Sequence, residues 1–173
     1  MSFEGRFAKK TLHCERIIGY AFENKALCAE ALNAAADMMA VYRDGFSARK
    51  LPKNDRLAVY GGAVAATALC RDWYASGSEK GENSYLDTIH SFRVLTSCSG
   101  AWTTIRNNAL GNNFLAQKGF ANGLDGCVTC NNGTPSISEK MMATAMEGIL
   151  GAVHLDGGDE ALKQVMEHLQ IGA

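Results

Sequence analysis

Proline is nearly absent from this chain. Pro52 and Pro135 are the two in 173 residues, and neither interrupts the stretch from Asn54 to Tyr74. That stretch is free to run as one long helix, because an internal proline would remove a backbone donor and clash with the preceding turn. Long apolar runs are missing too. None approaches the ~20 residues that a membrane-spanning helix needs, so no membrane partner is expected. Met1 to Lys10 carries basic residues but no apolar signal-peptide segment, which predicts an intracellular protein without resolving cytoplasm, nucleus or mitochondrion. Net charge is likewise small: 17 Lys and Arg against 18 Asp and Glu leave −1. Charge therefore gives no support to RNA as a partner.

What is present fits one globular domain. The chain is 47% hydrophobic and 20% charged, enough for a sizeable core. Residues 1–13, with Arg6, Lys9 and Lys10, read as an N-terminal arm that is loosely held or disordered, and residues 14–173 as a single domain. Six cysteines (Cys14, Cys28, Cys70, Cys98, Cys127, Cys130) are spread along the chain and are expected to be reduced. Cys127-Val128-Thr129-Cys130 is a lone CxxC without a second pair or nearby histidines, so no structural zinc is expected there.

The helical pattern is clearest from Asn54 onward. Leu57, Tyr60, Val64 and Leu69 recur at helical spacing, while Ala58, Gly61, Gly62, Ala63, Ala65 and Ala66 allow another backbone to come close. Two internal glycines cost roughly 1 kcal/mol each against alanine, which implies a packing reason. Upstream, Asn24 caps a short helix bearing Leu27, Ala31 and Leu32, and residues 36–53 read as a solvated loop with Arg43, Arg49, Lys50 and Lys53. Downstream, Ala75 to Ser84 reads as an exposed loop and Leu86 to Ser97 as a helix. Asn108 is expected to cap a helix that Gly119 ends, and Gly123 to Pro135 is a surface loop. Ser136-Ile137-Ser138-Glu139 fits a capping box that opens a helix from Glu139 to His154, with Met142, Met146, Ile149 and Val153 along its buried stripe. Asp159 then caps a last amphipathic helix through Leu162, Val165, Met166 and Leu169.

Two of these stretches carry a family resemblance. Asn54-Asp55-Arg56-Leu57-Ala58-Val59-Tyr60-Gly61-Gly62-Ala63-Val64 resembles the signature helix of the ribonuclease III family, Asn-Glu-Arg-Leu-Glu-Phe-Leu-Gly-Asp-Ala-Val. Glu147-Gly148-Ile149-Leu150-Gly151-Ala152-Val153-His154-Leu155-Asp156-Gly157-Gly158 resembles its second hallmark, Glu-Ala-Leu-Ile-Gly-Ala-Val-Tyr-Leu-Asp-Gly-Gly. Arg16-Ile17-Ile18-Gly19-Tyr20-Ala21-Phe22 and Arg106-Asn107-Asn108-Ala109-Leu110 match weaker family segments, so the resemblance spans about Glu15 to Leu169. It implies an all-α, ribonuclease III endonuclease-domain-like fold. The C-terminal double-stranded-RNA-binding domain that many members carry is not expected here.

The resemblance also implies a four-acid site that holds Mg²⁺ against a scissile phosphate. Carried over residue by residue, those positions are Ala58, Gly62, Thr144 and Glu147, and Glu147 alone is an acid. Asp55 matches a further acid of the signature and is the other candidate metal ligand. Losing three of four hard oxygen ligands removes most of the electrostatic stabilisation that phosphoryl chemistry needs. The expectation is a catalytically inactive homodimer acting as a scaffold, a partner-binding subunit or an RNA-associated pseudoenzyme, without a cofactor. An intact ribonuclease III-type protein is an alternative partner, and Leu57, Tyr60 and Val64 are candidate dimer-interface residues. The alternative function is a divergent endoribonuclease that uses Mg²⁺ or Mn²⁺ to cleave double-stranded RNA in RNA processing.

Overall fold

The computed structural model describes residues 4–35, 41–44, 47–76 and 98–172. Six α-helices carry the core: α1 (Glu4–Ile18), α2 (Lys25–Ala31), α3 (Asp55–Ala75), α4 (Cys98–Leu110), α5 (Asn112–Ala121) and α6 (Glu139–His168). The expected helix from Leu86 to Ser97 lies outside the described residues. An antiparallel hairpin, β1 (Val41–Asp44) with β2 (Ser47–Lys50), pairs Val41 with Lys50 and Tyr42 with Arg49. Within the stretch expected to be a solvated loop, residues 41–44 and 47–50 are thus paired strands. Residues 4–13 are not an arm, because they form most of α1. Phe7, Thr11, Cys14 and Ile18 fall on one face of that helix and are buried, and Phe7 packs with Ala29, Leu51 and Tyr42 of the hairpin. A threonine and a cysteine in the buried stripe hide its periodicity from a hydrophobic pattern.

The centre of the domain is the crossing of α3 over α6, the most extensive contact between elements. Leu57, Ala58, Gly61, Ala65 and Leu69 of α3 turn inward, and α6 meets α3 with its backbone at Glu147 and Gly151, while Gly148 faces Ala31 of α2. Contact is backbone to backbone. A Cβ on Gly61 would lie 1.8 Å from the carbonyl oxygen of Glu147, and one on Gly151 would lie 2.7 Å from that of Leu57. This close approach is the packing reason for Gly61 of the signature stretch, whereas Gly62 faces the Glu147 side chain.

The helix ends show which backbone groups are capped and how. Asn54 stands at the N-cap of α3 but makes no side-chain cap bond there. Its Nδ2 donates to the Ala31 carbonyl at 2.9 Å, while Asn33 Nδ2 donates to Pro52 at 2.9 Å, so buried amides clamp the chain before α3 to the end of α2. Asn108 lies inside α4. The break comes at Gly111, whose extended backbone (ψ 145) opens α5, and Gly119 is internal to α5, where its bare Cα makes room for Met142. The left-handed residue after α5 is Gly123 (φ 74). The N-cap of α6 is Ser138, two residues after the expected Ser136; its hydroxyl accepts from Met141 N at 3.3 Å.

The second hallmark reads as a staple followed by a kink. Asp156 accepts hydrogen bonds from Tyr20 Oη at 2.9 Å, Glu23 N at 2.8 Å and Asn24 N at 2.9 Å, tying α6 to the turn between α1 and α2. Gly157 leaves space for the Tyr20 hydroxyl, and Gly158 (φ 73, ψ −164) takes a conformation closed to other residues, which bends α6. Leu162, Val165, Met166 and Leu169 then pack as expected. Burial pushes the Asp156 carboxyl up, but the Asn24 and Glu23 amides, the Tyr20 hydroxyl and the Lys25 charge pull it further down, to a net position below the ordinary range. Tyr20 is pushed up to about 12, first by burial and then by Asp156.

Because the folded pKa of Asp156 lies below the unfolded one, its contribution is complete above about pH 4 and is lost as pH falls through the folded value. Asp156→Ala is therefore expected to cost about 2 kcal/mol at neutral pH, the scale of charge-assisted bonds lost from two backbone amides. Urea midpoints of the two proteins should converge at acid pH. An equal gap at pH 7 and below pH 3 would remove the charge from this account.

Candidate functional site

The four positions that the family resemblance singles out lie on α3 and α6 where the two helices cross. Ala58 and Gly62 are one turn apart on α3, and Thr144 and Glu147 are one turn apart on α6. Gly62 and Glu147 face each other, since a Cβ on Gly62 would sit 3.2 Å from Glu147 Oε1. Ala58 is buried at 4% exposure, so its methyl belongs to the core. The Thr144 hydroxyl donates to the Lys140 carbonyl at 2.9 Å, an ordinary bond back into its own helix. Glu147 is half-buried. Burial pushes its carboxyl up, and the Arg106 guanidinium of α4 opposes that shift.

Asp55 does not join Glu147. It lies seven residues before Gly62 on α3, about 10 Å along the helix axis. Both of its oxygens accept from Lys53 Nζ, at 2.9 and 3.0 Å. With Lys53, Lys140 and Thr144 it lines a depression of about 630 Å³. The carboxylate is exposed, and its charge is already answered by a lysine.

Mg²⁺ requires near-octahedral oxygen coordination. The donor set here is one half-buried carboxyl that burial pushes up against the pull of Arg106, one hydroxyl committed to a backbone carbonyl, and two positions with no donor atom in the side chain. Among the described residues, no group of three or more His, Cys, Asp or Glu side chains is placed to hold a metal ion. These residues do not fit the family's metal.

Of the three candidate interface residues, Leu57 is buried in the core of its own chain, while Tyr60 and Val64 are half-buried and pack against that core. The outward positions of α3 instead include Val59 (78% exposed), Ala63, Thr67 and Tyr74 (83% exposed). Trp73 stacks at 5.9 Å on Trp102 of α4, so it serves packing within the chain.

The structure also joins residues that sequence spacing does not connect. Tyr60 Oη lies 2.6 Å from His154 Nδ1, His154 Nε2 lies 3.0 Å from Asp159 Oδ1, and Arg71 donates to Asp159 Oδ2 at 2.9 Å. Asp159 thus ties α3 to α6 beside the kink instead of capping a helix, and bonds from Arg71 first and His154 second hold its carboxyl below the usual range. The CxxC cysteines part company. Cys127 is buried in the core cluster that also holds Cys14 and Cys28, and burial pushes its thiol up to about 11. The Cys14 thiol is pushed up by its hydrogen bond with Cys28 and by burial. Cys130 is half-buried on the depression beside Asp55.

No protein-family model matches the chain, and no curated protein does so either. Solved structures do. The nuclease domain of ribonuclease III from Campylobacter jejuni is similar at 18% sequence identity and a TM-score of 0.66, covering 92% of each chain. A second structure of that domain, described for structural flexibility in the region involved in dimer formation, is also 18% identical, with a TM-score of 0.62 over 91% of this chain and 94% of the other. At that identity the likeness speaks for architecture alone: this chain has the fold of a ribonuclease III nuclease domain.

Proposed function

We propose that this chain is a catalytically silent ribonuclease III-like domain that pairs with itself and serves as a scaffold or partner-binding subunit. The observation that carries the reading is the facing of Gly62 and Glu147. Where an acid pair would trap a metal between α3 and α6, one side has no side chain and the other is a carboxyl pushed toward its neutral form. Calorimetric titration with Mg²⁺ and with Mn²⁺ tests this. The expected result is no saturable heat for either ion. Stoichiometric binding lost in Glu147→Gln would contradict it.

Pairing is supported by the outward positions of α3, where Val59 and Tyr74 stand exposed on either side of small residues. It is supported also by the likeness to a nuclease domain described as having a region involved in dimer formation. A two-fold interface reuses one self-complementary patch, so a charge placed there appears twice and repels itself. Sedimentation should give a dimer at tens of micromolar, and Val59→Glu with Tyr74→Glu should give a folded monomer. A monomeric native protein would remove the pairing.

A further inference from the structure

We infer that the outer face of α1 is a docking surface for an acidic, amphipathic segment of a partner protein. The inference rests on the partner-binding part of the proposed function and names the kind of partner. Lys9, Leu12, His13 and Arg16 fall at i, i+3, i+4 and i+7, a continuous outward stripe opposite buried Phe7, Thr11, Cys14 and Ile18. The polar members of the stripe are all basic. Glu15, the acid of α1 nearest to them, is buried on the other side, where it accepts from Phe22 N and pairs with Lys25.

Leu12 is 55% exposed at the centre of this stripe. With Lys9, Lys10, His13, Arg16 and Gly126 it lines a shallow groove of about 420 Å³. Lys10 is fixed at the groove's edge by donating to the Val128 carbonyl and to Thr129 Oγ1. Basic character here is local, because the whole chain carries −1.

Charge and size decide between the two polyanions that could meet such a face. Lys9 to Arg16 spans about 10 Å, two turns of a helix. Proteins that hold nucleic acid through charge typically engage about 6–10 phosphates, more than this stripe can reach. Asp125, the exposed sequence neighbour of the groove-lining Gly126, is a negative charge that disfavours a continuous phosphate backbone more than discrete side chains. An exposed leucine ringed by cations fits a helix-in-groove contact in which an apolar anchor sits among glutamates or aspartates.

The test is fluorescence anisotropy at low salt with two labelled probes: a helical peptide bearing leucines at i and i+4 ringed by glutamates, and a short RNA duplex. The native protein should bind the peptide. Lys9→Glu with Arg16→Glu should weaken that binding about tenfold or more, and Leu12→Ser should weaken it about fivefold. All three residues are exposed, so the variants retain the core, and circular dichroism checks that they do. No peptide binding, binding unchanged in the charge-reversed variant, or binding indifferent to Leu12→Ser each overturns the inference. So does duplex RNA that binds more tightly and displaces the peptide, which would make the face a phosphate-backbone site. A chain that proved to be an active nuclease would refute the silent site and leave these outcomes intact.

Discussion

Gly61→Ala is expected to destabilise the protein by about 3 kcal/mol or more, at or beyond the upper end of overpacking costs in a well-filled core. The reason is the identity of the obstacle. An added methyl would lie 1.8 Å from the Glu147 carbonyl oxygen and reach toward Gly151 N at 2.7 Å, both backbone atoms of α6. A clashing side chain can rotate away, but a helix backbone has to translate. That shift would lift Ile149, Leu150 and Val153 from a core in which they are fully buried. Against a total stability of roughly 5–15 kcal/mol, the loss brings the variant close to unfolding. Gly126→Ala is the control, since nothing lies within 4 Å of a Cβ at that position, and a change within about 0.5 kcal/mol is expected. Urea titrations of the two variants measure both effects. Equal midpoints would mean that α3 and α6 do not meet backbone to backbone.

The parts of the fold that were legible in the sequence share one property: their signal is contiguous. Glu147 to Gly158 is a match of twelve consecutive residues, and Ile149 and Val153 of the expected stripe are buried. The start of α1 was hidden because Thr11 and Cys14 occupy buried positions that a hydrophobic pattern does not count. The hairpin was hidden because eight residues of alternating and basic character look like a loop until Phe7 and Leu51 supply something for Tyr42 to cover. The N-cap of α6 was misplaced by two residues because Ser136 has a glutamate three positions on, whereas Ser138 has the extended backbone (φ −77, ψ 159) that a cap needs.

At the candidate site, residue identity was enough to empty three of the four metal positions, and the structure adds how they are filled. Ala58 is part of the core, and Gly62 leaves just enough space for Glu147 to stand against α3. The link from Tyr60 through His154 and Asp159 to Arg71 was beyond sequence reading, because Tyr60 and Arg71 lie 94 and 88 positions from the residues that they meet. The same holds for the proposed pairing face. Periodicity identifies a helix's apolar stripe but cannot tell the core of the chain from a face offered to another copy, and Leu57, a candidate interface residue, is buried in the core of its own chain.

The second large effect concerns chemistry. Phosphodiester cleavage at a two-helix acid site depends on a divalent ion that activates water and neutralises charge on the phosphate. Here that ion would meet one half-buried carboxyl whose charged form is disfavoured by its surroundings. Electrostatic stabilisation of this kind is commonly the largest single contribution to catalysis, and removing even one donor costs about 10²–10³ in rate elsewhere. With three donors gone, no cleavage above background is expected. Restoring the acids is not a simple reversal. A glutamate at position 58 would enter a site that is 4% exposed, and an aspartate at position 62 would press on the Glu147 carboxyl. The triple variant Ala58→Glu, Gly62→Asp, Thr144→Asp should therefore lose stability before it gains activity.

The central claim is that the fold persists while the chemistry is dismantled, and the most direct measurement is cleavage of long duplex RNA by the native chain and by Glu147→Gln, each with Mg²⁺ and with Mn²⁺. The account predicts intact RNA in every lane, from two proteins with the same helical circular dichroism. Robust cleavage by the native protein that disappears in Glu147→Gln would contradict it.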